Sequence, residues 1–292
     1  MNRQNDYIKK NSLFWLNLML SIFLVAQLIN IFLLNHRWGT HNNSHYLAIN
    51  AALLMPVIGY AINYNNSKIN LLFLLGCIAT LTGMVIYTSA RPTWIGLILA
   101  SIYILFFLIG KRKLQALFVV ITVPALLFFT NIGNFGVRFK DLARHISTEE
   151  RNVIWRDAWN MQKTSDVKQW LVGHGLKSYE NDFIGFSSYH AQNIDFGSPH
   201  NWILEILYIS GAVGLIVFVF AYIYAWRQLV LTAKHSAEYK ALALLLSAML
   251  IISLVMGFLT VKSFSHYTVF QLAFFMGLAV WLRDNVLNKK VI

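Results

Sequence analysis

Charge is what this chain has least of. Asp, Glu, Lys and Arg make up 12% of its 292 residues, about half the share found in soluble domains. Within that small allowance acids are scarcer still, 12 against 24 Lys and Arg, which leaves a formal net charge of +12. A chain this poor in charge and 57% hydrophobic cannot cover a soluble globule with polar surface, so composition leaves a polytopic membrane protein. Cysteine is nearly absent. The one copy, Cys77, lies in an apolar run, which excludes an internal disulfide and a cysteine metal site. Internal repeats, low-complexity tracts and domain linkers are also missing. The basic excess does not argue for nucleic acid, because most Lys and Arg stand in short loops between apolar runs and form no phosphate-binding patch. No cleavable signal peptide is expected: the first apolar run, 12–34, is longer than a signal core and lacks a small-residue cleavage site.

What the sequence does hold is a series of apolar runs near the length of about 17–25 residues that spans a bilayer as a helix. Eight candidates are read, at 12–34, 46–63, 69–88, 93–110, 114–130, 202–226, 241–260 and 267–282. Pro124 lies inside the fifth, which membrane helices tolerate. Lys and Arg orient them. They fall at 3, 9, 10, 68, 111, 112, 113, 227, 234, 240, 283, 289 and 290 on one set of ends, and at 37, 91 and 262 on the other. The positive-inside rule therefore expects both termini in the cytoplasm and the segment 131–201 outside. The expected architecture is all-α and polytopic, with about eight transmembrane helices and one large periplasmic loop containing short helices. It divides into an N-terminal membrane bundle of five helices (1–130), the loop (131–201) and a C-terminal bundle of three helices (202–292). A loop of about seventy residues is unusual without a function of its own.

Three basic positions on the external side draw attention. Arg91, in TSARPTWIGL, stands at a helix mouth; Pro92 suits a first helical turn, and Ser89 or Thr88 can cap it. Arg91 either meets an anionic ligand or snorkels to lipid phosphates. Arg151 lies in STEERNVIWRDAWNMQ, where Ser147 and Glu150 fit a capping box and a helix should start near Thr148. On helical spacing it shares a stripe with Ile154, Trp155, Ala158 and Trp159, while Arg156, Asp157 and Lys163 fall off it. The stripe reads as a cleft wall or as an interfacial helix with Trp anchors. His200 lies in GSPHNWILEILYISGAVGL at 197–215. Ser198 is read as the N-cap and Pro199 as the first helical residue, which puts His200 and Asn201 in a first turn whose N–H groups attract an anion. Glu205, four residues on, is an ionisable group inside an apolar run and thus a functional candidate. It would orient His200 or Asn201, pair with Arg91 or Arg151, or simply reach for water. His174 and His190 are candidate substrate contacts, whereas His36, His41, His45 and His145 read as solvated. Trp170, Tyr179, Phe183 and Phe186 suit interfacial anchoring or sugar stacking.

His200 and Asn201, followed after nine residues by Gly211 and then by Gly214, resemble the His-Asn/Ser/Gln…Gly…Gly pattern of the O-antigen ligase and O-antigen polymerase superfamily. Arg91 stands where that family has an Arg-x-x-x-Leu motif, here ending in Ile95. Arg151, Trp155 and WLVGHGLKSYENDF at 170–183 resemble its Arg-x-x-x-Trp…Gly-x-Gly segment. The chain has fewer membrane helices than members commonly carry, so the missing ones would be N-terminal.

The resemblance implies a metal-independent, inverting glycosyltransferase of the inner membrane that needs no cofactor. Its donor would be a glycan on undecaprenyl diphosphate. Its acceptor would be a sugar hydroxyl of lipid A-core or another glycan, with membrane lipids as further partners. By the same analogy Arg91 and Arg151 would hold the diphosphate, and His200 would orient or deprotonate the acceptor. Asn201, Glu205, Gly173, His174 and Gly175 would line the substrate. The scattered Asp141, Asp157, Asp166, Asp182 and Asp195 show no metal-ligand spacing. A polymerase joining repeat units has the same chemistry. A transporter without catalysis predicts midplane charges and repeated halves, which the sequence lacks.

Overall fold

The computed structural model describes residues 15, 17–29, 31, 44–63, 68–88, 90–107, 111–131, 136–137, 140, 150–192, 197–259 and 266–288. Among these residues every regular element is helical. In chain order they are α1 (Asn17–Leu28), α2 (Ser44–Asn63), α3 (Lys68–Thr88), α4 (Arg91–Leu105), α5 (Lys111–Thr130), α6 (Glu150–Lys163), α7 (Val167–Val172), α8 (Ser178–Phe183), a 3₁₀ turn (His190–Gln192), α9 (Trp202–His235), α10 (Lys240–Leu259) and α11 (His266–Asn288). Four of them, α2, α3, α9 and α10, are long and apolar enough to cross a membrane. The other expected spans fall on α1, α4, α5 and α11. The first two are shorter, and α11 carries Gln271 within it and Arg283, Asp284, Asn285 and Asn288 toward its end.

The chain forms two compact units, residues 1–94 and 95–292. In the first, α2 and α3 pack together. The buried positions of α3, Leu74, Cys77, Leu81, Met84, Val85 and Thr88, recur every three or four residues and so make one stripe. They meet a face of α2 rich in small residues, with Ala48, Ala51, Ala52 and Ala61 all buried. Small side chains let helix backbones approach closely where lipid supplies no hydrophobic drive. The opposite face of α3 leaves Ile69, Leu72 and Leu75 exposed, as a lipid-facing surface requires. The Thr88 hydroxyl donates back to Val85 O at 2.8 Å within α3. Ser89 lies outside the described residues.

In the second unit α9, α10 and α11 pack on one another. The centre is α10, whose residues from Ala243 to Leu250 are all buried; a helix apolar all round belongs in the middle of a bundle. The later part of α4 joins it. Gly96 lets the backbone come close to Ile252, whose Cα would be 3.3 Å from an added Cβ, and Tyr103 reaches the Ser247 hydroxyl and the Trp226 ring.

The expected span 202–226 is apolar apart from Glu205 and a few neutral polar residues and reads as one helix, but α9 is broken. Gly211 has φ 67° and ψ −172°, a conformation favoured by residues without a Cβ. A straight helix would set Trp202 and Phe218 about 24 Å apart along its axis. Their rings instead meet edge to face at 5.9 Å, so the arm 202–210 folds toward the arm 212–235. Trp202 is seated on Gly257 of α10, where any Cβ would run into the indole. Tyr222 of the longer arm donates to Leu250 O of the same helix.

Candidate functional site

A break in a helix strands carbonyls. In an unbroken α9 the Tyr208 and Ile209 carbonyls would accept from residues 212 and 213. Here they accept from the segment after α7: His174 N–H donates to Tyr208 O and Gly175 N–H to Ile209 O, both at 2.9 Å. The His174 ring completes the joint. Its Nδ1 lies 3.1 Å from Tyr208 O, and because a carbonyl only accepts, Nδ1 carries the proton. Nε2 faces the Ser165 hydroxyl at 3.2 Å. The ring stacks on Tyr208 with centroids 4.0 Å apart and planes 7° from parallel, and the Tyr208 hydroxyl donates to Asp182 at 2.7 Å.

Close approach requires glycine on both sides. A Cβ on Gly173 (φ 78°) would collide with the Ile209 carbonyl. One on Gly211 would collide with Leu171 O and come within 2.6 Å of Gly173 N. Gly173, His174, Gly175, Gly211 and Tyr208 are thus parts of one joint that clamps the inter-helix segment to the broken helix. The first three were read as substrate contacts, but the structure employs their backbone and the histidine ring in this joint. Gly211, a member of the sequence pattern, creates the break itself.

Below the joint lies a small core. Ile154, Ala158 and Met161 of α6, Tyr179 and Phe183 of α8, and Tyr208 and Ile209 of α9 are all buried together. Tyr179 and Phe183 are therefore not surface platforms for sugar. The buried stripe of α6 is also rotated from the expected one. It runs through Ile154, Asp157, Ala158, Met161 and Gln162, while Trp159 is 40% exposed. Asp157, read as off the stripe, is buried because its carboxylate accepts from Ser188 N–H at 2.8 Å and lies 3.6 Å from Arg156 Nε. Those partners offset much of the cost of burying a charge. Glu205 is also buried. Its charge and that of Asp157 reach the Tyr179 hydroxyl, which burial first and these carboxylates second push above the ordinary tyrosine range. That hydroxyl has no hydrogen-bond partner among the described residues.

The basic candidates are placed as follows. Arg91 opens α4, where Thr93 and Trp94 N–H groups donate to Ala90 O, and Pro92 occupies the first turn where its missing donor does no harm. Arg151 lies in the first turn of α6 and is half-buried. The expected cap Ser147 and the expected helix start at Thr148 lie outside the described residues. One turn after Arg151, the Trp155 indole N–H donates to Pro199 O at 3.0 Å, which ties α6 to the peptide just before His200. Arg151 and His200 are thereby brought to the same neighbourhood of the second unit.

His200 is not inside the helix. The N-cap of α9 is Asn201, whose side-chain oxygen accepts from Ile203 N–H at 3.0 Å and Leu204 N–H at 3.2 Å. Ser198 plays a different part: its fully buried hydroxyl accepts from His200 N–H at 3.0 Å. His200 itself has φ 53°, a left-handed conformation that costs an L residue about 1–3 kcal/mol and survives only where its surroundings enforce it. Ser198 before it and the Asn201 cap after it supply that enforcement. Sequence reasoning placed the cap at Ser198 because Ser-Pro is a strong helix-start signal; Asn201, an equally good cap, wins.

Fold and site together define a multi-pass α-helical membrane protein whose inter-helix segment is locked to a broken membrane helix. Residues 75–219, about half the chain, match the family model of O-Antigen ligase, and the chain belongs to the O-antigen ligase superfamily. The matched stretch contains Arg91, Arg151, the joint around Gly173, and the element from His200 through Gly214. Membership carries a ligase- or polymerase-type membrane glycosyltransferase activity. No curated protein matches the chain.

Proposed function

We propose that this protein is an O-antigen ligase-like glycosyltransferase that moves a glycan from undecaprenyl diphosphate to a sugar hydroxyl of lipid A-core. The observation that carries the reading is the family match, because it spans Arg91, Arg151 and His200 in one stretch. In this reading both termini are cytoplasmic and the segment 131–201 is periplasmic, as the Lys and Arg distribution argues. Arg91 and Arg151 neutralise the departing diphosphate, whose charge rises as the glycosidic C–O bond breaks. His200 accepts the proton of the acceptor hydroxyl, whose oxygen forms the new C–O bond on the opposite face of the anomeric carbon and inverts it. The chemistry requires no metal.

Asn201 acts by holding His200, since its side-chain oxygen is occupied by the cap. Glu205, being buried beside the core under Tyr179, shapes the field of the site and does not touch substrate. Gly173, His174 and Gly175 serve through the joint.

The test is the surface glycan of cells carrying His200→Ala or Arg91→Ala in place of the native gene. Transfer should be abolished while the protein still inserts in the membrane. Normal lipopolysaccharide ladders from both variants would sink the assignment. A deletion strain separates the acceptors: loss of all capped glycan means a ligase, and core bearing one repeat unit means a polymerase.

A further inference from the structure

The surface beside the helix break is apolar where a solvated loop should be polar. Helical spacing puts Val167, Lys168, Leu171 and Val172 of α7 within an arc of about 140°, and all four are exposed, Val167 at 77%. The other side of α7 is engaged: Gln169 closes a capping box with Asp166, and the Trp170 ring meets Trp159 at 5.8 Å. Past Gly173 the chain turns and presents Leu176, 73% exposed, beside the exposed Lys177. This patch sits directly on Gly211, since the Leu171 carbonyl occupies the place a Cβ there would take.

Gly211 is also where the lipid-facing band of α9 begins. Residues 205–209 are buried, whereas Val213, Ile216, Val217, Phe220 and Ile223 are exposed. The arm 212–235 is about 36 Å long, enough for a hydrocarbon core of about 30 Å. The α7 patch is therefore continuous with a surface that must meet lipid.

We infer that α7 and the turn through Lys177 rest in the headgroup layer of the membrane. Val167, Leu171, Val172 and Leu176 enter the acyl boundary, and Lys168 and Lys177 meet anionic lipid phosphates. The lysine inside the apolar arc decides against a protein occupant. A dry protein interface would desolvate its ammonium group, whereas at a lipid surface the stem lies along the acyl boundary and the charge reaches the phosphates. The inference stands apart from the glycan chemistry and does not depend on it.

Depth-dependent quenching tests it on the full chain. In a Cys77→Ala background, Leu171→Cys, Leu176→Cys and, as a solvated control on α8, Glu180→Cys each receive an environment-sensitive fluorophore. The proteins are reconstituted in vesicles of phosphatidylethanolamine with phosphatidylglycerol. At Leu171→Cys and Leu176→Cys, headgroup-linked nitroxide lipids should quench strongly, and aqueous iodide several-fold less than at Glu180→Cys. Equal iodide quenching at all three sites overturns the proposal. So does shielding that appears only at high protein-to-lipid ratio, which assigns the patch to a second copy. Shielding in native membranes but not in vesicles assigns it to another protein and equally overturns the proposal. Lys168→Glu combined with Lys177→Glu should lower nitroxide quenching in anionic vesicles but not in zwitterionic ones. No difference between the two would refute the phosphate contact.

Discussion

Replacing Gly211 with alanine attacks the joint from the helix side. At φ 67° and ψ −172° an L residue is strained by about 1–3 kcal/mol. The added methyl also runs into Leu171 O and lies 2.6 Å from Gly173 N, an overpacking of backbone against backbone that costs about 1–3 kcal/mol more. Alanine further favours a continuous helix over a broken one by about 1 kcal/mol, which works against docking. Undocking should therefore become easier by at least about 3 kcal/mol, or roughly 100-fold in population. The readout is hydrogen exchange at His174 and Gly175, the amides that donate to the stranded carbonyls. Both should exchange about 100-fold faster, while amides in the middle of α10 keep their protection. Gly175→Ala is the companion variant. Its φ is 93° but nothing lies within 4 Å of a Cβ there, so it carries strain without collision and should have a smaller effect. If Gly211→Ala left both amides as protected as in the native chain, the claim that the joint depends on a glycine at the break would be refuted.

Trp155→Phe keeps the ring and removes the N–H that Pro199 O accepts. The segment before His200 should loosen by about 1–3 kcal/mol, visible as faster exchange at His200 and Asn201 and as a loss of glycan transfer larger than the loss of fold. Tyr179→Phe should be neutral or slightly stabilising at neutral pH, because the deleted hydroxyl is buried without a hydrogen-bond partner among the described residues. Its folded pKa lies above the unfolded value of 10.0. That contribution is therefore present below pH 10 and lost as pH rises beyond it; the native chain should lose stability relative to the variant in alkaline denaturation, and parallel curves would contradict the burial. Gly257→Ala pushes a methyl into the Trp202 indole, so thermal unfolding should report a destabilisation of about 1–3 kcal/mol. Unchanged melting would mean that the arm 202–210 is not seated on α10.

The order of elements was legible in the sequence because apolar runs and turn residues act locally. The joint was not, and the reason is physical. Hydropathy registers what a residue dissolves in and is blind to a dihedral angle, so the run 202–226 reads as one helix although Gly211 interrupts it. The signal that could have exposed the break is relational: two glycines flanking His174 and another inside an apolar helix, each needed only because the other backbone is so near. Asp157 was misplaced for a related reason. A stripe drawn from apolar residues alone assumes that charge points outward, and the Ser188 amide and Arg156 that hold Asp157 inward are contacts the pattern on α6 does not encode.

The same distinction bears on how His200 is prepared. Sequence reading treated the helix N-terminus as the functional device, with His200 inside the first turn and its N–H groups turned to an anion. In the structure the first free N–H groups of α9 are taken by Asn201, so the cap competes with any ligand for them. What remains distinctive is the left-handed turn at His200 itself. It is fixed by Ser198 on one side and the cap on the other, and tied through Pro199 to Trp155 on the helix that carries Arg151. A strained histidine held from two sides has little freedom to reorient, which is what a base acting on one hydroxyl geometry needs. Within this reading Asn201→Ala and Ser198→Ala should lower turnover through the position of His200, with more effect on kcat than on KM, whereas loss of an anion site would appear chiefly in KM.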